Sequence, residues 1–246
     1  MTTHTADMSP RIYARVAGLL YLIPLAPFGI FYVPSLVVPR NAVVTASNIL
    51  ASESMVRLSI ATALLSQVIF IVVALALYKV LKPVNKNMAV LMVVFSLVGT
   101  PITMFNELNQ LAVLLVLHSA AFTPDQGHAL MSLFLDLHAL GLEIAGIFWG
   151  LWLFPMGYLV VKSGFLPRII GVLLMIGCFG YLIDSSAALL LPNVTVNVGL
   201  YTGWVELLLP LWLLIRGVNV EQWKKRAQSY SPADNFPEIS EPQRSA

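Results

Sequence analysis

Charge is what this chain of 246 residues has least of. Asp, Glu, Lys and Arg make up 11% of it, less than half the share in a soluble domain, so a water-soluble globule is excluded. Cysteine is scarcer still. Cys178 stands alone within an apolar run, which excludes an intrachain disulfide and a thiolate metal cluster. The formal net charge of +2 is too small to suggest a nucleic-acid partner. No window has the strict alternation of a membrane barrel. There is no Gly-x-Ser-x-Gly elbow and no His-x-x-x-His pair, which removes two familiar signatures of hydrolases.

What is present is apolar length. Hydrophobic residues reach 58% and the mean hydropathy is +0.83. Several runs exceed the ~18 residues that mark a membrane helix. The reading is an all-α, polytopic membrane bundle with six transmembrane helices and the lipid bilayer as its solvent. Residues 1–10 are expected to be disordered, 11–226 to form the membrane domain, and 227–246 to be a disordered tail. The spans are expected near 16–33, 55–78, 88–118, 128–161, 168–191 and 198–218. Pro24, Pro27 and Gly29 should kink the first. Residues 41–53 suit a short surface helix, and Glu53 and Arg57 are spaced as a favourable i,i+4 pair. Ser59, Thr62 and Ser66, and then Gly146 and Gly150, are the small residues that let helices approach closely in lipid. Gln67 suits an interhelical hydrogen bond. Trp223-Lys224-Lys225-Arg226 reads as an interfacial anchor over anionic lipid.

Orientation follows from the basic residues. Placing both termini and the loops that contain Lys79–Lys86 and Lys162–Arg168 in the cytoplasm puts twelve of the 14 Lys and Arg inside. Only Arg40 and Arg57 remain outside. The expected topology therefore has both termini cytoplasmic, with 34–54, 119–127 and 192–197 as outer connections.

Arg15-Val16-Ala17-Gly18-Leu19-Leu20-Tyr21, Asn48-Ile49-Leu50-Ala51-Ser52-Glu53 leading to Arg57, Leu151-Trp152-Leu153-Phe154-Pro155, Lys162-Ser163-Gly164-Phe165-Leu166-Pro167-Arg168 and Gly180-Tyr181-Leu182-Ile183-Asp184-Ser185 resemble an uncharacterised bacterial membrane family, domain of unknown function 4386. The resemblance covers roughly Arg11 to Arg216. It implies a multi-pass protein of the inner membrane and brings no activity, cofactor or site with it.

The site must come from charges placed where charge is costly, which in a membrane segment is a functional-site hypothesis by default. Counting from the basic ends at about 1.5 Å per residue puts Glu206 at ~15 Å, Asp184 at ~24 Å, Glu143 at ~28 Å and Glu107 at ~31 Å. The hydrocarbon core is about 30 Å thick. These acids, with Gln110, Asp136, His138 and Arg57, are expected to line an acidic cavity open to the outer side, with Arg57 reaching Glu107 or Asp136. The ligand would be a cation or a small cationic or polar molecule. His138 lies about 200° around the helix from Asp136, which argues against a metal site on that pair. His118, His128 and His138 match no established ligand spacing. Two other functions stay open. One is a membrane-embedded lipid hydrolase using Asp184-Ser185-Ser186 and His138. The other is an accessory subunit whose polar residues only join helices.

Overall fold

The computed structural model describes residues 9–25, 28–191, 194 and 196–229. Among them the regular structure is entirely helical. Residues up to Met8, the expected breaker Pro27, Pro192 and Asn193 in the expected last outer connection, and residues from Tyr230 onward lie outside the described residues.

Four helices are long and apolar enough to cross a membrane. They are α4 (Glu53–Leu81), α5 (Lys86–His118), α6 (Pro124–Ser163) and α7 (Arg168–Leu190). Before them come α1 (Pro10–Leu25), α2 (Phe28–Leu36) and α3 (Ala42–Ala51); after them come α8 (Gly199–Thr202), α9 (Trp204–Ile215) and α10 (Val220–Ser229). The first and last expected spans are thus each divided in two. Residues 227–229, expected in the tail, belong to α10.

Local chemistry explains the boundaries. Asn41 and Asn85 cap α3 and α5 by accepting from Val44 and Met88 backbone N–H groups. Thr123 and Gln126 make a reciprocal capping box at the start of α6, with Pro124 at its first position, satisfying donors the helix cannot. Gly164 ends α6 in the left-handed region, φ 75°, where a side chain would be strained.

α4, α5, α6 and α7 run antiparallel in sequence order, and α1 packs between α9 and α4. Glycines set the closest approaches. A Cβ on Gly18 would meet the Pro210 carbonyl oxygen at 2.6 Å, and one on Gly157 would meet the Gly171 oxygen at 2.5 Å. Gly146 faces Ser185, and Gly150 faces Tyr181 and the Cys178 carbonyl. The small-residue pair read from the sequence therefore lies in the α6–α7 contact.

The buried side chains sort into two apolar clusters with a polar layer between them. The larger, at the basic end, is built around Trp152, Leu77, Met156, Leu159 and Leu174. Trp152 meets Tyr21 edge-on at 5.9 Å and donates its indole N–H to the Tyr21 hydroxyl at 3.2 Å. The smaller joins Val33, Ile49, Val56, Val113, Leu114 and Met131 from α2 to α6. Along α5 the larger cluster ends at Met92 and the smaller begins at Val113. Every polar side chain buried on α5 falls between those two residues. Outward, Phe105 is 73% and Leu115 72% exposed, as suits a surface in contact with lipid.

Candidate functional site

The central feature of the polar layer is one face of α5. Ser96, Thr100, Thr103, Glu107 and Gln110 recur at alternating steps of four and three residues, so they share a face. All five are at most 4% exposed. They make a buried polar stripe about 21 Å long. Thr103 donates to the Gly99 carbonyl at 3.0 Å. On the other four, Ser96 Oγ, Thr100 Oγ1, Glu107 Oε2 and Gln110 Oε1 are buried with no hydrogen-bond partner among the described residues. Gln67 Oε1 on α4 is in the same position. Gln67 lies fourteen residues before the end of α4 and Thr100 fourteen after the start of α5, so in an antiparallel hairpin they stand at one height. Buried polar atoms without partners are few in native structures, and five in one layer are a concentration that asks for a cause.

His138 on α6 closes the end of the stripe away from the basic loops. Its Nε2 is 2.9 Å from Gln110 Nε2 and 3.4 Å from Glu107 Oε1. Two proton arrangements fit this trio. With the proton on Nδ1, Nε2 accepts from the Gln110 amide, and the nearby Glu107 oxygen must carry a proton of its own to avoid facing a lone pair. With the proton on Nε2, the imidazole donates to Glu107, and the Gln110 amide turns its oxygen toward the ring. Both arrangements leave Glu107 Oε2 open. Asn106 braces the trio, donating from Nδ2 to the His138 carbonyl at 2.8 Å and accepting from Asn109 at 2.9 Å. Gly141 makes room for it, since a Cβ there would land on the Asn106 side chain.

Glu143, Asp184 and Glu206 stand elsewhere in the layer, on the α6–α7 and α7–α9 contacts. Asp184 accepts from the backbone N–H groups of Val198 and Gly199 at 2.7 and 2.6 Å, so its two oxygens pin the entry to α8. Glu143 lies beside Ser185 and within electrostatic reach of Asp184. Glu206 is 6% exposed, and its polar neighbour is Tyr181, with Tyr21 also near. Ser185 is buried against Gly146, while His138 belongs to the α5–α6 contact.

Two expected members lie apart from the stripe. Arg57 does not reach Glu107 or Asp136; its guanidinium pairs with Glu53 at 2.8 Å, and Glu53's second oxygen takes His118 at 2.8 Å. The i,i+4 spacing places Glu53 within the short reach of Arg57, whereas Glu107 faces the interior. Asp136 is exposed because the helical rotation that buries His138 turns Asp136 away. A cavity was expected to open to the outer side; Glu107, Gln110 and His138 are buried, with the smaller apolar cluster beyond them. Among the described residues, no group of three His, Cys, Asp or Glu side chains is placed to hold a metal ion. Asn106 and the part of the stripe nearer the basic loops were missed in sequence. The four-and-three spacing from Ser96 to Gln110 was the signal that could have found them.

The sequence profile of a family described as "Domain of unknown function (DUF4386)" matches residues 16–217. This chain belongs to that family. It is also 36% identical over 149 residues to an "Uncharacterized protein" of Archaeoglobus fulgidus, a match spanning 60% of this chain and 76% of the relative. No solved structure matches it. As a DUF4386 member with four membrane-length apolar helices, it is a multi-pass membrane protein placed in a lipid bilayer.

Proposed function

We propose that this DUF4386 protein binds, and passes toward the middle of the membrane, a small cation or a small cationic or polar molecule. The α5 stripe is its site. The observation that carries the reading is the set of unpartnered oxygens in one buried layer: a carboxyl oxygen, two amide oxygens counting Gln67 on α4, and two hydroxyls. Oxygen acceptors in that number suit a hard cation or an N–H donor. An orphaned buried acceptor costs about 1–3 kcal/mol, so a ligand that meets several at once recovers a large sum. In this reading Glu107 supplies the negative charge, Gln110 and Gln67 supply carbonyl oxygens, and His138 takes or returns the proton that Glu107 exchanges. Glu143 and Glu206 shape the same layer on the neighbouring contacts, and Asp184 holds the outer connection. Arg57 and Asp136 take no part.

A carboxylate that binds a cation must be unprotonated, so binding releases protons and weakens as pH falls. The purified chain is titrated with Na+, K+, Mg2+ and ammonium while thermal unfolding and proton release are followed. The expected result is saturable stabilisation by one of them, with proton release, both lost in Glu107→Gln and kept in Asp184→Asn. Equal responses to all four cations in both variants would reject the reading. Lipid hydrolysis is less well supported, because both Asp184 oxygens are taken up by backbone and His138 lies on a different helix contact from Ser185.

The fold is read as six spans, with α1–α2 and α8–α9 as the two broken ones, in the cell's inner membrane. The bundle is read as one membrane domain over 11–226. Both termini are on the cytoplasmic side by the basic asymmetry. In a Cys178→Ser background, cysteines at Ser47 and Asp125 should react with an impermeant thiol reagent in intact cells, and one at Lys86 should not. The opposite pattern would invert the topology.

A further inference from the structure

We propose a second, separate site at the basic end of the bundle, one that holds a phosphate group. A pocket of about 410 Å³ opens there between the start of α1, the end of α9, the loop after α6 and the start of α10, lined by Arg11, Phe165, Trp212, Arg216 and the 217–220 segment. Its volume falls within the 300–1,000 Å³ usual for small-molecule sites.

The charges in it are free. Neither the Arg11 nor the Arg216 guanidinium has a hydrogen bond or ion pair with any described residue. The neighbouring Arg15 is turned aside, donating to the Ile215 carbonyl at 3.2 Å. The nearby acid, Glu221, is held by Lys225 at 2.7 Å and does not neutralise the pair. Two unpaired guanidiniums facing one space match a tetrahedral oxyanion, which each can grip with two N–H groups.

The frame is built. Gly217 turns the chain at φ 68°, and a Cβ on it would meet Arg11 Cγ at 2.9 Å, so a glycine is what lets Arg11 lie across the turn. α10 is strapped down beside the opening: Trp223 donates to the Val80 carbonyl at 2.9 Å and Arg226 to the Lys162 carbonyl at 2.9 Å. Phe165 forms an apolar wall, 4% exposed, next to Trp212. An aromatic wall beside two arginines suits a phosphate ester with an organic group better than the bare ion. The group sits at the end of the bundle where the basic loops gather, the height at which phospholipid headgroups lie. The ester is therefore a lipid headgroup or a soluble phosphomonoester, and the test separates them.

The full chain is placed in phosphatidylcholine nanodiscs containing a minor fraction of phosphatidic acid, re-extracted, and examined by native mass spectrometry. Retention of one phosphatidic acid per chain is expected. Arg11→Gln and Arg216→Gln should each lower that occupancy about tenfold, the loss of one charge-assisted contact. Lys82→Gln, at the same end but outside the pocket, should leave it unchanged. Arg216→Lys keeps the charge and should still weaken retention, because the fork is lost. Glycerol 3-phosphate that displaces the lipid, and binds alone with the same dependence on both arginines, assigns the soluble ester; lipid that resists it assigns the headgroup. Equal losses in all the Gln variants, or neither compound bound, would overturn the site.

Discussion

Two contacts within the same polar layer hold the same kinds of residue and use them differently. On the α7 side, Asp184 meets two backbone N–H groups and Glu206 has a tyrosine neighbour. On the α5 side, Glu107 and Gln110 touch His138 with one atom each and leave the other without a partner. A buried acid is therefore no functional signal by itself. Asp184 is an anchor because its acceptor capacity is filled by the fold. Glu107 is a candidate ligand because its capacity is not.

The largest expected effect tests the anchor. Asp184→Ala leaves the Val198 and Gly199 N–H groups without their charged acceptor. Charge-assisted bonds contribute about 1.5–3 kcal/mol each when buried, and this side chain is only half-buried, so a total loss of about 2–3 kcal/mol is expected. Thermal unfolding should show it, and amide exchange at Val198 and Gly199 should accelerate. If stability held while a cation response disappeared, the comparison would be reversed and Asp184 would be the ligand.

Next comes the brace on the open side. Gly141→Ala drives a methyl into the Asn106 side chain, and overpacking of this kind costs about 1–3 kcal/mol. Displacing Asn106 should also disturb the His138 ring it supports, so cation-dependent stabilisation should fall along with the melting temperature. Unchanged cation dependence at reduced stability would separate Asn106 from the site.

Glu107→Gln should do far less to the fold. The amide keeps an oxygen for His138 and replaces a buried carboxyl that lacks a full set of partners, so stability should move by less than about 1 kcal/mol in either direction. What should vanish is proton release on cation binding. A loss of several kcal/mol instead would make the Glu107–His138 pair structural and remove the contrast with Asp184.

These contrasts bear on how far the sequence could be read. The four long helices were legible within a few residues because apolar length and basic loops are strong signals; α4 was expected from 55 and starts at Glu53, and α7 was expected over 168–191 and ends at Leu190. The surface helix expected over 41–53 is α3. The first and last spans read as continuous runs, because hydropathy does not register a break such as the one between α8 and α9. At the site, helical rotation correctly separates Asp136 from His138. Depth along the helix still admits both as candidates, because a count of residues from the basic end carries no direction. Asp184 could not be sorted from Glu107 in sequence. The backbone that occupies it arrives fourteen residues later, across a connection whose path no local pattern specifies.

The smallest expected effect concerns Arg57, and it sharpens the comparison from outside the layer. Arg57 and His118 both sit on Glu53, and all three are exposed enough for water to screen them. Exposed ion pairs of this kind contribute little. Arg57→Ala should therefore leave the melting temperature unresolved from the parent, and combining it with Glu107→Gln should give the sum of the two single effects, as distant sites do. The measurement is a double-mutant cycle on thermal unfolding at low and at high salt. A coupling that survives high salt would mean that Arg57 leaves Glu53 and reaches the buried carboxylate. Glu107 would then have its missing partner from within the chain, and the case for a bound cation would lose the unpartnered carboxyl oxygen on which it rests.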